Sequence, residues 1–246
     1  MTTNITRHYR QEETMKYTVM GDSDNPIIDI SLSNGETIKI ENGAMAFMQN
    51  VELKGETNSK KKGLGGIVSA VARSIASGES MFITHATGTS DNARLGIAPA
   101  VPGKVACINV EEGKQYRLNT GCFLACDDSV FYNIKKQELG KAIFANTGGL
   151  FVMETEGTGQ ILVNAFGDLQ ILEVKDGAPL TIDNEHVVAW DANLDYNMRI
   201  ASGTFGIMSG EGIVNEFHGT GKVIIQTRNL HSLADAVARY IPTSNE

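Results

Sequence analysis

A glycine-centred turn flanked by alternating apolar residues occurs three times in this chain, and it constrains the fold more than any other feature. The three turns are Asn34-Gly35, Glu112-Gly113 and Asp176-Gly177. Asn-Gly and Asp-Gly favour the positive φ values of a type I′ turn, and apolar residues at every second position place one face of a strand in a core. The pattern therefore predicts three β-hairpins, each followed by a third strand.

The three segments agree along their length as well as at the turns. Aligned on the three glycines, apolar residues coincide at positions 30/108/172, 32/110/174, 38/116/180 and 40/118/182. Such recurrence is the sequence signature of an internal duplication. A second set of segments alternates with the first, and in each a strand leads to a glycine turn and a return strand follows. The turns are at Gly88, at residues 157–159 and at residues 219–221.

Isolated hairpins expose sheet edges and apolar faces, so the hairpins must combine into a larger β structure. The sequence predicts an all-β sandwich or barrel built from three repeats with pseudo-threefold symmetry. Trp190 and the apolar residues before it are expected to fill the core of this body.

Two segments have helical rather than strand periodicity. Residues 64–77, from Leu64 to Ser77, carry apolar side chains at helical spacing and precede Gly78, which suits a helix C-cap. Residues 229–241 repeat apolar side chains every three or four positions until Pro242. The sequence thus predicts two short helices attached to the β body.

Composition favours one domain. A chain of 246 residues that is 41% hydrophobic can bury a large core within a single all-β domain. We expect this domain at residues 16–242, with a polar extension at residues 1–15 and a short tail at residues 243–246. The first fourteen residues include charged side chains and no apolar stretch, and eighteen apolar residues never run together. These features predict an intracellular, cytoplasmic protein without a signal peptide or membrane span.

The cysteines and the net charge limit the partners. Three cysteines without a paired framework predict small buried apolar groups in a reducing compartment, and these are Cys107, Cys122 and Cys126. The net charge of −8 repels phosphate backbones and anionic lipid, so nucleic acid is a disfavoured partner.

One candidate metal site arises from the repeats. His85, Glu156 and His218 each stand three residues before a glycine, at Gly88, Gly159 and Gly221 respectively. If the three positions converged near a symmetry axis, they would supply the ligands of a two-histidine, one-carboxylate metal centre. The alternative, which we favour, is that they flank exposed turns far from the axis.

Other motifs indicate no catalytic residues and no cofactor. No serine lies in a nucleophile elbow. The Gly-Thr-Gly turns lead into strands, whereas a dinucleotide fingerprint opens a helix. Residues 63–66 precede the first predicted helix but lack the Lys-Ser/Thr of a P-loop. These glycines are expected to make turns, and the protein is expected not to be an enzyme.

Several of these segments resemble one known family. They are residues 79–82 (Glu-Ser-Met-Phe), the Gly-Thr-Gly turns, residues 187–190 (Val-Val-Ala-Trp) and residues 221–227 at the last strand. They are similar to the altered inheritance of mitochondria twenty-four family, and the resemblance covers most of the chain. It implies a fold of three β repeats similar to that of the tryptophan RNA-binding attenuation protein, a TRAP-like fold. It implies no catalytic residues. The family's fungal members act in mitochondria, but this chain has no Arg-rich presequence, which favours a bacterial cytoplasmic member.

Three functional hypotheses follow. The first is a non-enzymatic scaffold or binding protein that associates with itself through sheet edges or the first predicted helix, with no small-molecule ligand specified. The second is RNA binding, which the TRAP-like fold suggests by analogy and the acidic charge opposes. The third is attachment to a membrane surface through residues 64–77 and the neighbouring Lys60, Lys61 and Lys62.

Overall fold

The structure is a computed structural model that describes residues 14–21, 25–57, 82–136, 151–201 and 212–241. It is predominantly β: the described residues contain nineteen strands and one α-helix. The predicted helix at residues 64–77 lies outside the described residues. The described part of the chain contains no helix long and apolar enough to cross a membrane.

The strands are, in chain order, β1 Lys16–Met20, β2 Ile27–Leu32, β3 Thr37–Glu41, β4 Met45–Gln49, β5 Val51–Thr57, β6 Phe82–Gly88, β7 Ala93–Ile97, β8 Val105–Val110, β9 Tyr116–Asn119, β10 Phe123–Asp127, β11 Val130–Lys136, β12 Phe151–Gly157, β13 Gly159–Asn164, β14 Leu169–Val174, β15 Leu180–Asp183, β16 Val187–Asp191, β17 Asp195–Ile200, β18 Ile213–His218 and β19 Gly221–Gln226. The helix α1 spans Leu230–Ala238. Two 3-10 turns, Thr120–Cys122 and Asn184–His186, precede β10 and β16.

The strands form four antiparallel sheets. Their orders are β1-β2-β7-β4, β5-β6-β3-β10-β13-β8, β11-β12-β9-β16-β19-β14 and β15-β18-β17. Every pair of neighbouring strands in these sheets is antiparallel.

Three groups of six consecutive strands have the same internal pairing, and we call each group a module: β2–β7, β8–β13 and β14–β19. In each module the last strand pairs with the first and third strands, and the fifth strand pairs with the second and fourth. The third strand has a register shift at the same place in each module, between Met45 and Phe47, Phe123 and Ala125, and Val187 and Ala189. A module therefore supplies three strands to each of two sheets.

The strands that flank the glycine-centred turns do not pair with each other, which corrects the prediction of hairpins. Two of the turns close a single antiparallel bridge, Glu111 with Lys114 and Lys175 with Ala178. The strands before and after each turn lie in different sheets, as β2 and β3 do around Gly35. Gly35, Gly113 and Gly177 have φ values of +80°, +82° and +75°, but the residue before each glycine lacks the positive φ of a type I′ turn. Positive φ at the third turn position alone fits a type II turn, whose twist does not match that of paired strands.

Each module has its own hydrophobic core. The cluster of the first module includes Ile30 and Leu95, that of the second includes Leu118 and Val163, and that of the third includes Trp190. Trp190 is fully buried and makes edge-to-face contacts with the rings of Phe217 and Tyr196 at 5.6 and 5.1 Å. The predicted core role of Trp190 is confirmed.

The C-terminal helix is present where the sequence predicts it but is shorter, ending at Ala238. Asn229 is its N-cap, because the Asn229 side chain accepts a hydrogen bond from the Ser232 amide at 2.7 Å. None of its residues is buried, and its apolar side chains Leu230, Leu233 and Val237 are each 45% exposed or more. The helix is therefore attached mainly through its first turn.

Candidate functional site: the junctions between modules

Neighbouring modules are joined by pairing between one strand of each. Strand β3 of the first module pairs with β10 of the second, with Ile40 opposite Ala125 and Lys39 opposite Cys126. Strand β9 of the second module pairs with β16 of the third, with Leu118 opposite Ala189 and Arg117 opposite Trp190. The four strands lie at matching places in their modules, so the two junctions have the same register.

A buried cation crosses the first junction. The Lys39 side chain, only 6% exposed, donates hydrogen bonds from Nζ to the carbonyl oxygens of Asp128 and Val130 at 2.7 and 2.9 Å. The same Nζ lies 4.3 Å from the centre of the Phe131 ring. An ammonium removed from water requires such partners, because an unpaired buried charge strongly destabilises the fold. Lys39 thus attaches β3 to the turn after β10.

A cation at the matching position crosses the second junction. Arg117 donates from Nη1 to the Leu194 carbonyl at 3.1 Å and from Nε to Glu154 at 2.8 Å, and its guanidinium lies 5.6 Å from the Tyr196 ring centre. Leu194 follows β16 as Val130 follows β10. Partial burial favours protonation of Glu154, but hydrogen bonds from Lys135 and Arg117 outweigh it and hold the pKa of Glu154 below its usual value.

The corresponding third pair of edges is unpaired. A closed pseudo-threefold ring requires β15 of the third module to pair with β4 of the first, and this pairing is absent among the described strands, since the two lie at edges of different sheets. Met45 and Met48 of β4 are 40% and 48% exposed, whereas Cys126 and Trp190, which match Met48, are fully buried. In β15 the residue that matches Lys39 and Arg117 is the exposed Thr181.

The residues of the candidate metal site are not brought together. His85 lies opposite Lys39 and Lys54, with Nδ1 3.8 Å from Asp128, whereas Glu156 lies opposite Phe131 and within 3.4 Å of Asn133. His218 pairs with Asp195 at the end of β17 and lies 3.1 Å from Glu216. Across the residues that the structure describes, no three His, Cys, Asp or Glu side chains are grouped to hold a metal ion.

The cysteines lie mostly inside the second module. Cys122 and Cys126 are buried, as predicted, but Cys107 is partly exposed, which corrects the expectation that all three are buried. Burial raises the pKa of the Cys126 thiol to about 12, because the interior disfavours a thiolate. Cys126 therefore stays protonated and acts as a small apolar group at the first junction.

A groove of about 690 Å³ lies between α1 and the starts of the second and third modules. His186 lines it and donates from Nδ1 to the Gln226 carbonyl at 2.7 Å, because a carbonyl oxygen can only accept. Nε2 then accepts from the Asn229 amide at 3.1 Å. His186 thereby orients the Asn229 side chain that caps α1, so these polar groups attach the helix to the β body.

Comparison with known proteins identifies the family. The family described as Mitochondrial biogenesis AIM24 matches residues 17–228, which is most of the chain. This chain belongs to the AIM24 family. The matched part includes all three modules and both junctions, and it ends just before α1. The resemblance drawn from the glycine turns and the residues around Trp190 is thereby confirmed.

Two relatives from Streptococcus pyogenes support membership of the AIM24 family. An uncharacterised protein of serotype M6 is 43% identical over 236 residues, which cover 95% of this chain and 94% of the relative. The crystal structure of another S. pyogenes protein, solved in a structural genomics programme, matches with a TM-score of 0.76 and 41% identity. That match covers 92% of this chain and 100% of the other.

Sequence reasoning missed the junction residues of this AIM24-family chain. Lys39, Arg117 and Thr181 occupy one position in the alignment on the three glycines, and two of the three are basic. A basic residue on a strand normally indicates a side chain that faces solvent, so the sequence alone predicts an exposed position here. The signal was that the charge lies between two apolar residues in both strands. The lysines proposed for membrane contact, Lys60, Lys61 and Lys62, lie outside the described residues.

Proposed function

We propose that this AIM24-family protein is a non-enzymatic scaffold of the bacterial cytoplasm that associates with itself through the sheet edges at β4 and β15. One observation carries the proposal: the matching strands are paired at both junctions inside the chain, whereas β4 and β15 have an unpaired edge among the strands that the structure describes. Unpaired edges that present apolar side chains are sites of strand addition.

The three modules are interpreted as copies of one TRAP-like unit, as the family resemblance implies. Their shared pairing and their register shifts at matching places support this interpretation. The three modules are joined by the same kind of strand contact and form a series. A module of a second chain can extend this series. Self-association through the free ends of the series is therefore a repetition of a contact that the chain already makes.

The exposed side chains of β4 favour association over solvation. Natural edge strands usually carry lysine, proline or other charged residues that prevent pairing. Strand β4 has the sequence Met-Ala-Phe-Met-Gln, with no charge and two methionines that are 40% and 48% exposed. Methionine is flexible and polarisable, and it is common at surfaces that pack against a partner.

The oligomeric mass tests this function directly. We expect the wild-type chain to elute in size-exclusion chromatography with light scattering at a multiple of its 26.5 kDa mass. Met48→Lys should shift the mass toward 26.5 kDa, because it puts a charge on the free edge. Ile171→Lys is the matched control, since Ile171 is 62% exposed on the edge strand β14 and lies outside the proposed contact. A wild-type protein that stays monomeric at all concentrations contradicts the proposal.

A further inference from the structure

We infer that the contact between copies is head-to-tail: β4 of one chain pairs with β15 of the next chain in the register of the two internal junctions. This inference rests on the proposed function and specifies its interface. It makes the assembly a continuation of the module series across chains.

The two free edges differ in type, and this difference determines which edge pairs with which. At each internal junction a second strand of one module, β3 or β9, pairs with a third strand of the next module, β10 or β16. Strand β15 is the second strand of the third module and β4 is the third strand of the first module, and neither pairs with another module among the described strands. The series of three modules thus has two complementary edges. A contact between unlike surfaces is heterologous and produces rings or filaments rather than isolated dimers.

The internal junctions also predict the register. Ile40 and Leu118 lie opposite Ala125 and Ala189, and the matching pair between chains is Ile182 with Phe47. At the next position of each strand, Lys39 lies opposite Cys126 and Arg117 lies opposite Trp190. The matching pair between chains is Thr181 with Met48. Register is strongly specified wherever one face of a sheet is buried, because a shift by one residue would invert that face.

The cores provide independent support. Leu124 and Ala125 of β10 belong to the core of the first module, and Val188 and Ala189 of β16 belong to that of the second. Each of these cores is therefore completed by a strand of the following module. The core of the third module contains eight buried residues among those described, against fourteen and sixteen in the others, and it receives no such strand. An incoming β4 would supply Ala46 and Phe47 at the matching places.

The contact between chains lacks the cation of the internal junctions. Lys39 and Arg117 each donate charge-assisted hydrogen bonds to a carbonyl of the next module, whereas Thr181 has no group of that length or charge. The contact between chains depends on apolar packing of methionine and phenylalanine instead. It is therefore weaker than the internal junctions and dissociates on dilution while the modules within a chain stay joined.

Cysteine cross-linking tests the pairing and the register together. The background is Cys107→Ser, because Cys107 is the partly exposed native cysteine. Opposed residues in an antiparallel pair have Cα atoms about 4.5–5.5 Å apart, which a disulfide can bridge. Chains carrying Met48→Cys and chains carrying Thr181→Cys are purified separately, mixed in equal amounts, allowed to exchange and then oxidised. We expect a disulfide-linked dimer in the mixture, at about one quarter of the contacts for random exchange, and none in either protein alone.

A matched pair out of register is the control. Gln49→Cys lies on β4 and Asp183→Cys lies on β15, the same two strands. The inferred register places Gln49 opposite Leu180, and Asp183 is three residues, or about 10 Å, from Leu180 along β15. This mixture should give at most a tenth of the cross-linked dimer. Equal cross-linking of the two mixtures overturns the inferred register.

The remaining outcomes separate this inference from the proposed function. Dimers of Met48→Cys alone would mean that β4 pairs with β4, which overturns the head-to-tail contact but not self-association. A chain with both Met48→Cys and Thr181→Cys should form a ladder of linked chains. A bond within one chain instead would show that β4 and β15 close on themselves, which also overturns the inference. An oligomeric wild type without any cross-link has the same consequence, whereas a monomeric wild type contradicts the proposed function itself.

Discussion

Strands β4 and β10 occupy the same place in their modules, yet β10 is buried along its whole length and most of β4 is exposed. The difference lies in the neighbours: β10 has β13 on one side and β3 of the preceding module on the other, whereas β4 pairs only with β7 among the described strands. The burial of this strand therefore depends on pairing with a strand of another module, and the described residues contain no such pairing for β4. Substitutions at matching places of β4 and of the buried third strands should therefore have unequal effects.

Shortening a buried side chain in the third strand of the third module should lower the free energy of unfolding strongly. Shortening the side chain at the matching place in β4 should lower it little. Trp190→Ala removes a fully buried indole, and we expect it to lower the free energy of unfolding by about 3–5 kcal/mol. Met48→Ala, at the matching place in β4, should cost less than about 0.5 kcal/mol in the dissociated chain. Urea denaturation of both variants at low protein concentration measures the difference. Similar losses would mean that β4 is covered within the chain.

Lys39 at the first junction should contribute more to the free energy of unfolding than Thr181, which occupies the matching position in β15. Lys39→Ala leaves the carbonyls of Asp128 and Val130 without these donors, and we expect a loss of about 1–3 kcal/mol in the free energy of unfolding. Thr181→Ala is the matched change in β15 and should be nearly neutral, because Thr181 is exposed. Chemical denaturation under identical conditions measures both. An unchanged free energy of unfolding in Lys39→Ala would show that Lys39 does not stabilise the first junction.

Restoring the missing cation should strengthen the contact between chains. Thr181→Lys places an ammonium where Lys39 and Arg117 reach a carbonyl of the next module, and we expect association to tighten by about 1 kcal/mol, or roughly fivefold. Thr181→Met is the control for side-chain length without charge. Sedimentation velocity over a concentration series measures the dissociation constant. Equal tightening by both variants would assign the gain to apolar contact instead.

The stability contributed by the second junction should depend on pH through Glu154. Because the pKa of Glu154 is lower in the folded than in the unfolded chain, its contribution to stability is present above the ordinary carboxyl pKa of about 4.3. That contribution is lost as the pH falls through the lower, folded-state pKa. We expect the difference in unfolding free energy between wild type and Glu154→Gln to shrink below about pH 4. A difference that does not change with pH would contradict this role of Glu154.

Much of the strand content could be predicted from the sequence, and the pairing could not. Alternation around Gly35, Gly113 and Gly177 correctly indicated strands on both sides of each turn. The hairpin interpretation was wrong because alternation shows which face of a strand is buried and does not show which strand lies beside it. Here the strands on the two sides of each glycine turn lie in different sheets. The C-terminal helix was predictable because its apolar spacing and its N-cap are local features.

The candidate site shows the same division. His85, Glu156 and His218 were grouped by their distance from a glycine in the sequence, but strand pairing places Glu154 and Glu216 at the positions that match His85. A shift of two residues along a strand displaces a side chain by about 7 Å, so sequence spacing alone cannot place ligands around a centre. Lys39 and Arg117 were visible at one aligned position, yet only the contacts with Val130 and Leu194 showed their role.

The sequence by itself determined that this chain is a predominantly β protein of the AIM24 family with three similar segments, because turn residues and alternating apolar positions act within a few residues of each other. Only the tertiary structure decided that the segments form three cores joined by β3·β10 and β9·β16, and that β4 and β15 are edges without a partner in the part of the chain that the structure describes. Strand pairing depends on backbone hydrogen bonds, which every residue except proline can donate and accept. Side-chain identity therefore marks a strand without specifying its neighbour.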